Sequence, residues 1–393
     1  MTNNTHCPIC QCDDALLLEH RAGVPVMMHR LYETAEDAKS CKRATLTMQR
    51  CGTCGFSWNS AFDPAAVDYD DLYENAQTHS PVFTRHVEDR ARDLIAAVPE
   101  GSEFDFLEVG CGQGGFLDLV AELAGVRLRT AVGFDPSFRG PDKTKRGKAI
   151  IHKAYFSAAS SDRLEHAPNI VASRHTIEHV PDPVAFLQAI RHALGPDSRA
   201  RLFVETPCID WIIAHRAMHD LFYEHCSIFT AHSLKLALER AGFARVQTQH
   251  VFGGQYLWAS GEAAPVEMRE GPAALLSPYV DATVSTQHYT DHWRNELSLA
   301  SAEGPVAVWG AGAKGVTFAF LLDPDGQLFD SVIDINPAKQ GRYLAGSGLK
   351  ILAPEGAAAR RPRTVFVMNP NYLDEIRVIA AKAGLDAALV PIN

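Results

Sequence analysis

The chain has no run of about 18 or more apolar residues, the length that a membrane-crossing helix requires. Its first residues lack the basic start and apolar stretch of a secretory leader. Cytoplasm is the expected compartment, with no membrane partner. The chain also lacks a basic surplus: 37 Lys and Arg against 47 Asp and Glu leave a net charge of −10. That speaks against nucleic acid as a partner, because its binding rests on neutralising phosphates with a basic surface. Cysteine is sparse, nine residues in 393, too few for a disulfide-scaffolded fold. What remains is an ordinary apolar fraction and a length that fits two or three domains.

Residues 104–114 read Phe-Asp-Phe-Leu-Glu-Val-Gly-Cys-Gly-Gln-Gly, an apolar strand running into Gly110, Gly112 and Gly114. Such a loop turns sharply beneath a ligand that needs close backbone approach, which glycine permits. It looks like the entry loop of an S-adenosylmethionine (SAM) methyltransferase, with Glu108 placed to receive the cofactor's amino group. Phe116–Leu123 has helical apolar spacing. Asp135 then ends the next strand about 20 residues on, where a doubly wound sheet holds ribose hydroxyls. The G-x-G-x-G spacing disfavours a nicotinamide cofactor here. Strands are expected at 104–109, 130–135, 168–173, 201–205 and 245–252 with helices between them, which implies a parallel sheet covered by helices. Tyr155 and Phe156 fall where a loop stacks on the adenine.

On either side the chain changes character. Cys7-Pro-Ile-Cys10 and Cys51-Gly-Thr-Cys54 are two knuckles of the kind that hold a closed, structural tetrahedral zinc. Cys12 and Cys41 are spare, and either could replace a main ligand. Residues 304–393 start afresh: Trp309-Gly310-Ala-Gly312-Ala-Lys314-Gly315 follows a strand and opens a helix, Asp334 ends the next strand, and Asn369 follows a third. This is a literal G-x-G-x-x-G fingerprint, but in a unit too short for two nucleotide halves. It suits contact with a diphosphate, with Lys314 near a phosphate and the helix N-terminus as an anion site. The expected division is a zinc domain at 1–68, a SAM domain at 69–261, a helical linker at 262–303 and a Rossmann-like substrate domain at 304–393.

These pieces, in this order, resemble the sugar C-methyltransferase family of deoxysugar biosynthesis, which acts on nucleotide-linked 4-keto sugars. The resemblance covers nearly the whole chain. It rests on the paired knuckles, the Glu108-Val-Gly-Cys-Gly loop, the Trp309–Gly315 loop, and Phe222-Tyr223-Glu224-His225 followed by Phe229-Thr230. Family members usually carry Tyr-His-Glu-His at 222–225, so the Glu-His pair matches and the two preceding residues do not. The resemblance implies a class I SAM-methyltransferase α/β fold, doubly wound, with a small N-terminal zinc domain and a C-terminal Rossmann-like domain. It implies a nucleotide-linked sugar as substrate, with the last domain's glycine loop on the diphosphate. It also implies a tyrosine-rich cover over the cofactor, here Tyr69 and Tyr73 with His79, Ser80 and Phe83.

Methylating carbon next to a ketone requires a base near neutrality and donors for the enolate oxygen. Histidine suits the base, so His225 is expected in that role, Glu224 as its helper or a contact to the sugar, and Tyr223 as donor to the keto oxygen. A rival base lies in Ser173–Pro183, where His175 is expected near the methyl group and Glu178 and His179 brace the loop. Zinc on His175 and His179 is the weaker alternative there. Competing functions are SAM-dependent methylation of oxygen or nitrogen, an NAD(P)-dependent reductase using Gly310–Gly315, and a zinc-containing binding module. The expected oligomeric state is a monomer or small homo-oligomer.

Overall fold

The computed structural model describes residues 6–69, 72–75, 79–141, 149–264 and 286–392. Strands β1 (Ala15–Pro25), β2 (Arg43–Cys51) and β3 (Ser57–Asn59) run antiparallel. The middle of the chain supplies β4 (Phe104–Val109), β5 (Leu128–Phe134), β6 (Ala149–His152), β7 (Ile170–Arg174), β8 (Arg201–Pro207), β9 (Ser227–Ile228), β10 (Phe243–Val251) and β11 (Tyr256–Ala263). Then come β12 (Val306–Trp309), β13 (Ser331–Ile333), β14 (Ile351–Leu352), β15 (Thr364–Val367) and β16 (Ala388–Pro391).

The central sheet has the order β10-β11-β8-β7-β4-β5-β6. All six residues of β4 are buried, the pattern of a parallel strand covered on both faces. The sheet departs from the expected all-parallel form at β11, which is antiparallel to both β8 and β10. The cause is local: Phe252, Gly253 and Gly254 all take positive φ, which turns the chain back directly instead of through a crossover helix. β11 and the four-residue β6 are strands the sequence pattern did not mark, and only the last two residues of β11, Glu262 and Ala263, fall in the expected linker. Of the linker, residues 265–285 lie outside the described residues, and a helix spans Thr286–Glu303.

The C-terminal sheet is parallel throughout, in the order β14-β13-β12-β15-β16. The N-terminal sheet, β1-β2-β3-β9, ignores the expected cut at residue 68, because β9 from the middle of the chain pairs with β3. Packing crosses the same line. Val26, Met28 and Leu46 share one buried cluster with Tyr223 and Ile228 and with Phe318, Leu344 and Phe366 of the last unit. Buried Arg21 of β1 donates to the Met218 and Leu221 carbonyls, each at 2.8 Å. Among the described residues no helix is long and apolar enough to cross a membrane.

Candidate active site

The carboxyl ends of β4, β5 and β7 open onto a cavity of about 630 Å³, the edge where such sheets bind ligands. Glu108, Gly110, Gly112, Asp135, Tyr155, Phe156 and Tyr73 line it, with Tyr69 and Phe83. Gly110 has φ +78°, and a Cβ there would overlap the Thr176 side chain, so no other residue fits the turn. Gly114 is the exception among the expected cofactor residues. It caps the following helix, Gly115–Ala124, at φ 80° and does not line the cavity. Glu108 is buried with Oε2 lacking a hydrogen-bond partner. Burial pushes its pKa up to about 8, with Asp135 adding to the rise and Arg174 opposing it. A buried, unpaired carboxyl in a glycine-lined cavity suits a cationic ligand group, as the ammonium and sulfonium of SAM would provide. Asp135 already accepts from the Gly112 N–H at 2.7 Å and from Ser137. It ties the glycine loop to β5 and keeps part of its acceptor capacity for a hydroxyl.

A second cavity, about 270 Å³, lies between the carboxyl edges of the middle and C-terminal sheets. Gly310, Gly312, Lys314, Gly315, Asp334 and Asn369 line one side, and His175, His179, His225, Gln255 and Tyr256 the other. A Cβ on Gly315 would overlap the Gly310 carbonyl, so glycine lets the helix Ala313–Leu322 start against its own loop. That helix has no side-chain cap, which leaves N–H groups at its start for an anion. Both lysines of this cavity are already paired: Lys314 Nζ sits 2.9 Å from Asp220, and Lys339 Nζ 3.6 Å from Asp334. Asp334 accepts from the Ala311 and Asn336 N–H groups at 2.8 Å each, so it first braces its own loop. Asn369 donates to Gln255 Oε1 at 3.0 Å and joins the two sheets.

Tyr73, Asn75, His175 and His179 line both cavities and form the wall between them. His175 is held at φ 49°. Its Nδ1 lies 3.3 Å from Glu178 and its Nε2 3.8 Å from Glu205, both carboxylates fully buried. Glu205 also pairs with Arg174 at 2.8 Å and with His86, and the Arg174 and His175 charges hold its pKa well below the carboxylate range. His225 stands on the acceptor side, its ring 4.9 Å from that of His179 and 4.0 Å from that of Phe222. Burial and the neighbouring His179, His175, His29 and Lys314 push its pKa well below 6.5. Both effects favour the neutral imidazole.

Two expected catalytic residues are placed elsewhere. Tyr223 lines neither cavity; its hydroxyl accepts from the Asp63 N–H at 2.8 Å and its ring packs on Phe62. The donor expected at the keto oxygen is therefore not Tyr223. The chain turns at 222–225, where the His225 N–H donates to the Phe222 carbonyl at 3.3 Å, and this turn puts Phe222 and His225 on the cavity side. Glu224 also lines neither cavity. It accepts from the Met28 N–H at 2.6 Å and lies beside the Tyr73 hydroxyl, and burial raises its pKa to about 7. No hydrogen bond among the described residues joins it to His225, so it holds Tyr73 and the 26–29 segment instead. That segment brings His29 into the acceptor cavity, its pKa lowered to about 3 by burial and Lys339. Sequence reasoning missed His29, Gln255 and Tyr256 and gave His179 only a bracing role. The one signal for His29 was a histidine following the apolar run Val24–Met28.

The knuckles come together: Cys7, Cys10, Cys51 and Cys54 place their sulfurs within 4.8 Å of one another. Cys7 Sγ is 3.6 Å from Cys54 Sγ, and Cys10 Sγ is 3.4 Å from Cys51 Sγ. A tetrahedral zinc with bonds of about 2.3 Å sets its thiolates about 3.8 Å apart, so the four fit that ion. Cys12 and Cys41 stay outside the group.

Residues 83–248 match a family model described as a methyltransferase domain, and residues 269–386 one described as a C-methyltransferase C-terminal domain. The C-methyltransferase NovU of Streptomyces niveus is 28% identical over 198 residues, 47% of each chain. The chain thus spans about half the length of this curated relative. Similar solved structures include the N,N-8-amino-8-demethyl-D-riboflavin dimethyltransferase RosA from Streptomyces davawensis, at 21% identity and TM-score 0.35 over 46% of this chain and 56% of that one. The CurJ carbon methyltransferase aligns at 15% identity and TM-score 0.35, over 47% and 56%. The central sheet together with the first match defines a class I SAM-methyltransferase fold.

Proposed function

We propose that this chain is a SAM-dependent methyltransferase, as its two matched domains support, and that its acceptor is a carbon beside a ketone in a nucleotide-diphosphate-linked keto-deoxysugar. The observation that carries this is the wall shared by the two cavities, with a neutral His225 on the acceptor side and Glu108 unpaired on the other. Glu108, the Gly110–Gly112 loop and Asp135 would hold SAM, which when bound supplies an electrophilic methyl group. The start of the helix Ala313–Leu322 would receive the diphosphate through backbone N–H groups, since Lys314 and Lys339 are already paired. His225 takes the proton from the carbon next to the ketone. His175 and His179 would face the place where the enolate oxygen develops, and such donors are often worth about 3 kcal/mol of barrier each. Glu224 positions Tyr73. The four thiolates Cys7, Cys10, Cys51 and Cys54 would hold a structural zinc.

The test has two stages. SAM-saturated protein is titrated with dTDP, CDP, UDP, GDP and NADH, and the nucleotide that binds selects the keto-sugar series. Each sugar is then turned over with carbon-13-methyl SAM and followed by NMR. A new methyl resonance coupled to ring carbon is expected, with solvent deuterium entering the same carbon in the absence of SAM. A methoxy or N-methyl signal would overturn the carbon acceptor. Binding of NADH alone would make the last domain a redox unit.

A further inference from the structure

We infer that Glu178, His179 and His225 form a second metal site, suited to a divalent ion of the zinc class, on the wall of the acceptor cavity. One ligand atom from each lies within 4.8 Å of the others, and all three residues line the cavity. Nitrogen and oxygen ligands about 2.1 Å from a tetrahedral zinc stand about 3.4 Å apart, so small side-chain rotations close the set.

The donor atoms are prepared for it. Glu178 is 0% exposed. Its Oε2 accepts from the Thr206 hydroxyl at 3.2 Å, while Oε1 makes no hydrogen bond. His175 Nδ1 lies 3.3 Å from that Oε1, but in an arrangement that forms none. His225 Nδ1 is likewise buried without a partner. The Tyr69 hydroxyl meets His179 Nδ1 at 3.2 Å, an outer contact of the kind that fixes a ligating imidazole and leaves its other nitrogen for the ion. The histidine pair suggested by the 175/179 spacing is not the one assembled, because the strained His175 is turned between two carboxylates. Two imidazoles and one carboxylate leave coordination positions open toward the cavity, unlike the closed four-sulfur set.

Binding there engages His225, so the ion inhibits the enzyme; this consequence rests on His225 being the base, whereas the site itself does not. Protein whose cysteine site is first filled with zinc is titrated with Co²⁺ in the absence of SAM. The expected result is one equivalent of cobalt with a visible d–d spectrum free of thiolate charge transfer. That spectrum is lost in both H179A and E178Q, the latter keeping the side chain's shape, with folding of each checked by thermal melting. Turnover of the wild type falls in step with occupancy and returns on desalting. No nitrogen–oxygen spectrum, or one that survives in both variants, overturns the site and leaves the base assignment standing. Saturation with undiminished turnover overturns the inhibition and removes His225 from the chemistry.

Discussion

Replacing Glu108 with Gln separates the cofactor's electrostatics from the rest of the site. The Glu108 carboxyl is 2% exposed, one of its oxygens is unpartnered, and its pKa is raised to about 8 by burial. At pH 7 the empty enzyme therefore holds it protonated. A ligand ammonium arriving at that oxygen requires it ionised, which costs about 1.4 kcal/mol at one unit below the pKa. The charged hydrogen bond gained contributes about 1.5–3 kcal/mol, so E108Q loses at most about tenfold in SAM affinity at pH 7. The pH slope is the sharper readout. From pH 6 to pH 7 the wild-type Kd tightens about tenfold and binding releases close to one proton, while E108Q shows neither. The window stops at pH 7 because an α-amino group itself titrates near about 8. Calorimetry in two buffers of different ionisation enthalpy reads both quantities. The sign for stability follows from the same shift. A raised carboxyl contributes stability that is fully present below its usual pKa and lost as pH rises through about 8. The melting temperature of E108Q relative to the ligand-free wild type should accordingly climb with pH. A flat wild-type profile, or an equal slope in E108Q, would refute the placement of the cofactor's cation at Glu108.

H225N should lower turnover by about 100-fold or more with SAM affinity unchanged by calorimetry; surviving activity would make His175 the base. Y223F should keep kcat/KM and lose about 1 kcal/mol in urea unfolding, since it strands the Asp63 N–H. K314M leaves Asp220 buried without its cation and should destabilise the protein by a few kcal/mol, with D220N/K314M regaining part of the loss in thermal melts. After exhaustive desalting, wild-type protein should keep one tightly held zinc per chain by atomic absorption, and C51S should lose that zinc and melt lower.

How much of this was legible follows from range. Strand β4, its glycine loop and the Trp309–Gly315 loop are local signals, in which backbone geometry and residue type are read within a dozen positions. The knuckles too carry their own geometry, so their convergence follows from residue type alone. What escaped depends on pairing between distant residues. β11 is set by a hairpin turn whose strand then joins β8, and nothing in its own alternation says antiparallel. Tyr223 and Glu224 were assigned to the cavity because they precede His225 in the motif. But the chain turns there, the His225 N–H returning to the Phe222 carbonyl, and the two side chains at the turn are carried away from the cavity. Only Phe222 and His225 line the cavity. His29 was invisible for the same reason: its role is created by a fold that brings residue 28 against residue 224.

That contact changes what the N-terminal module is for. A cysteine-rich sheet that merely folded beside the enzyme would leave the catalytic loop to the middle domain. Here β9, two residues after His225, completes that sheet against β3, and the Thr230 hydroxyl donates to the Cys54 carbonyl at 3.3 Å. Phe56, just beyond the second knuckle, packs 5.0 Å from Phe229. On the other side of His225, Glu224 is fixed by the Met28 N–H. The loop with the proposed base is thus clamped at both ends by residues from the first 60 positions. Its geometry depends on the knuckles even though none of the four knuckle cysteines lines the acceptor cavity. A chain trimmed to the methyltransferase domain would lack both clamps, and its loss of turnover would reflect a misplaced His225 before any loss of the cofactor cavity.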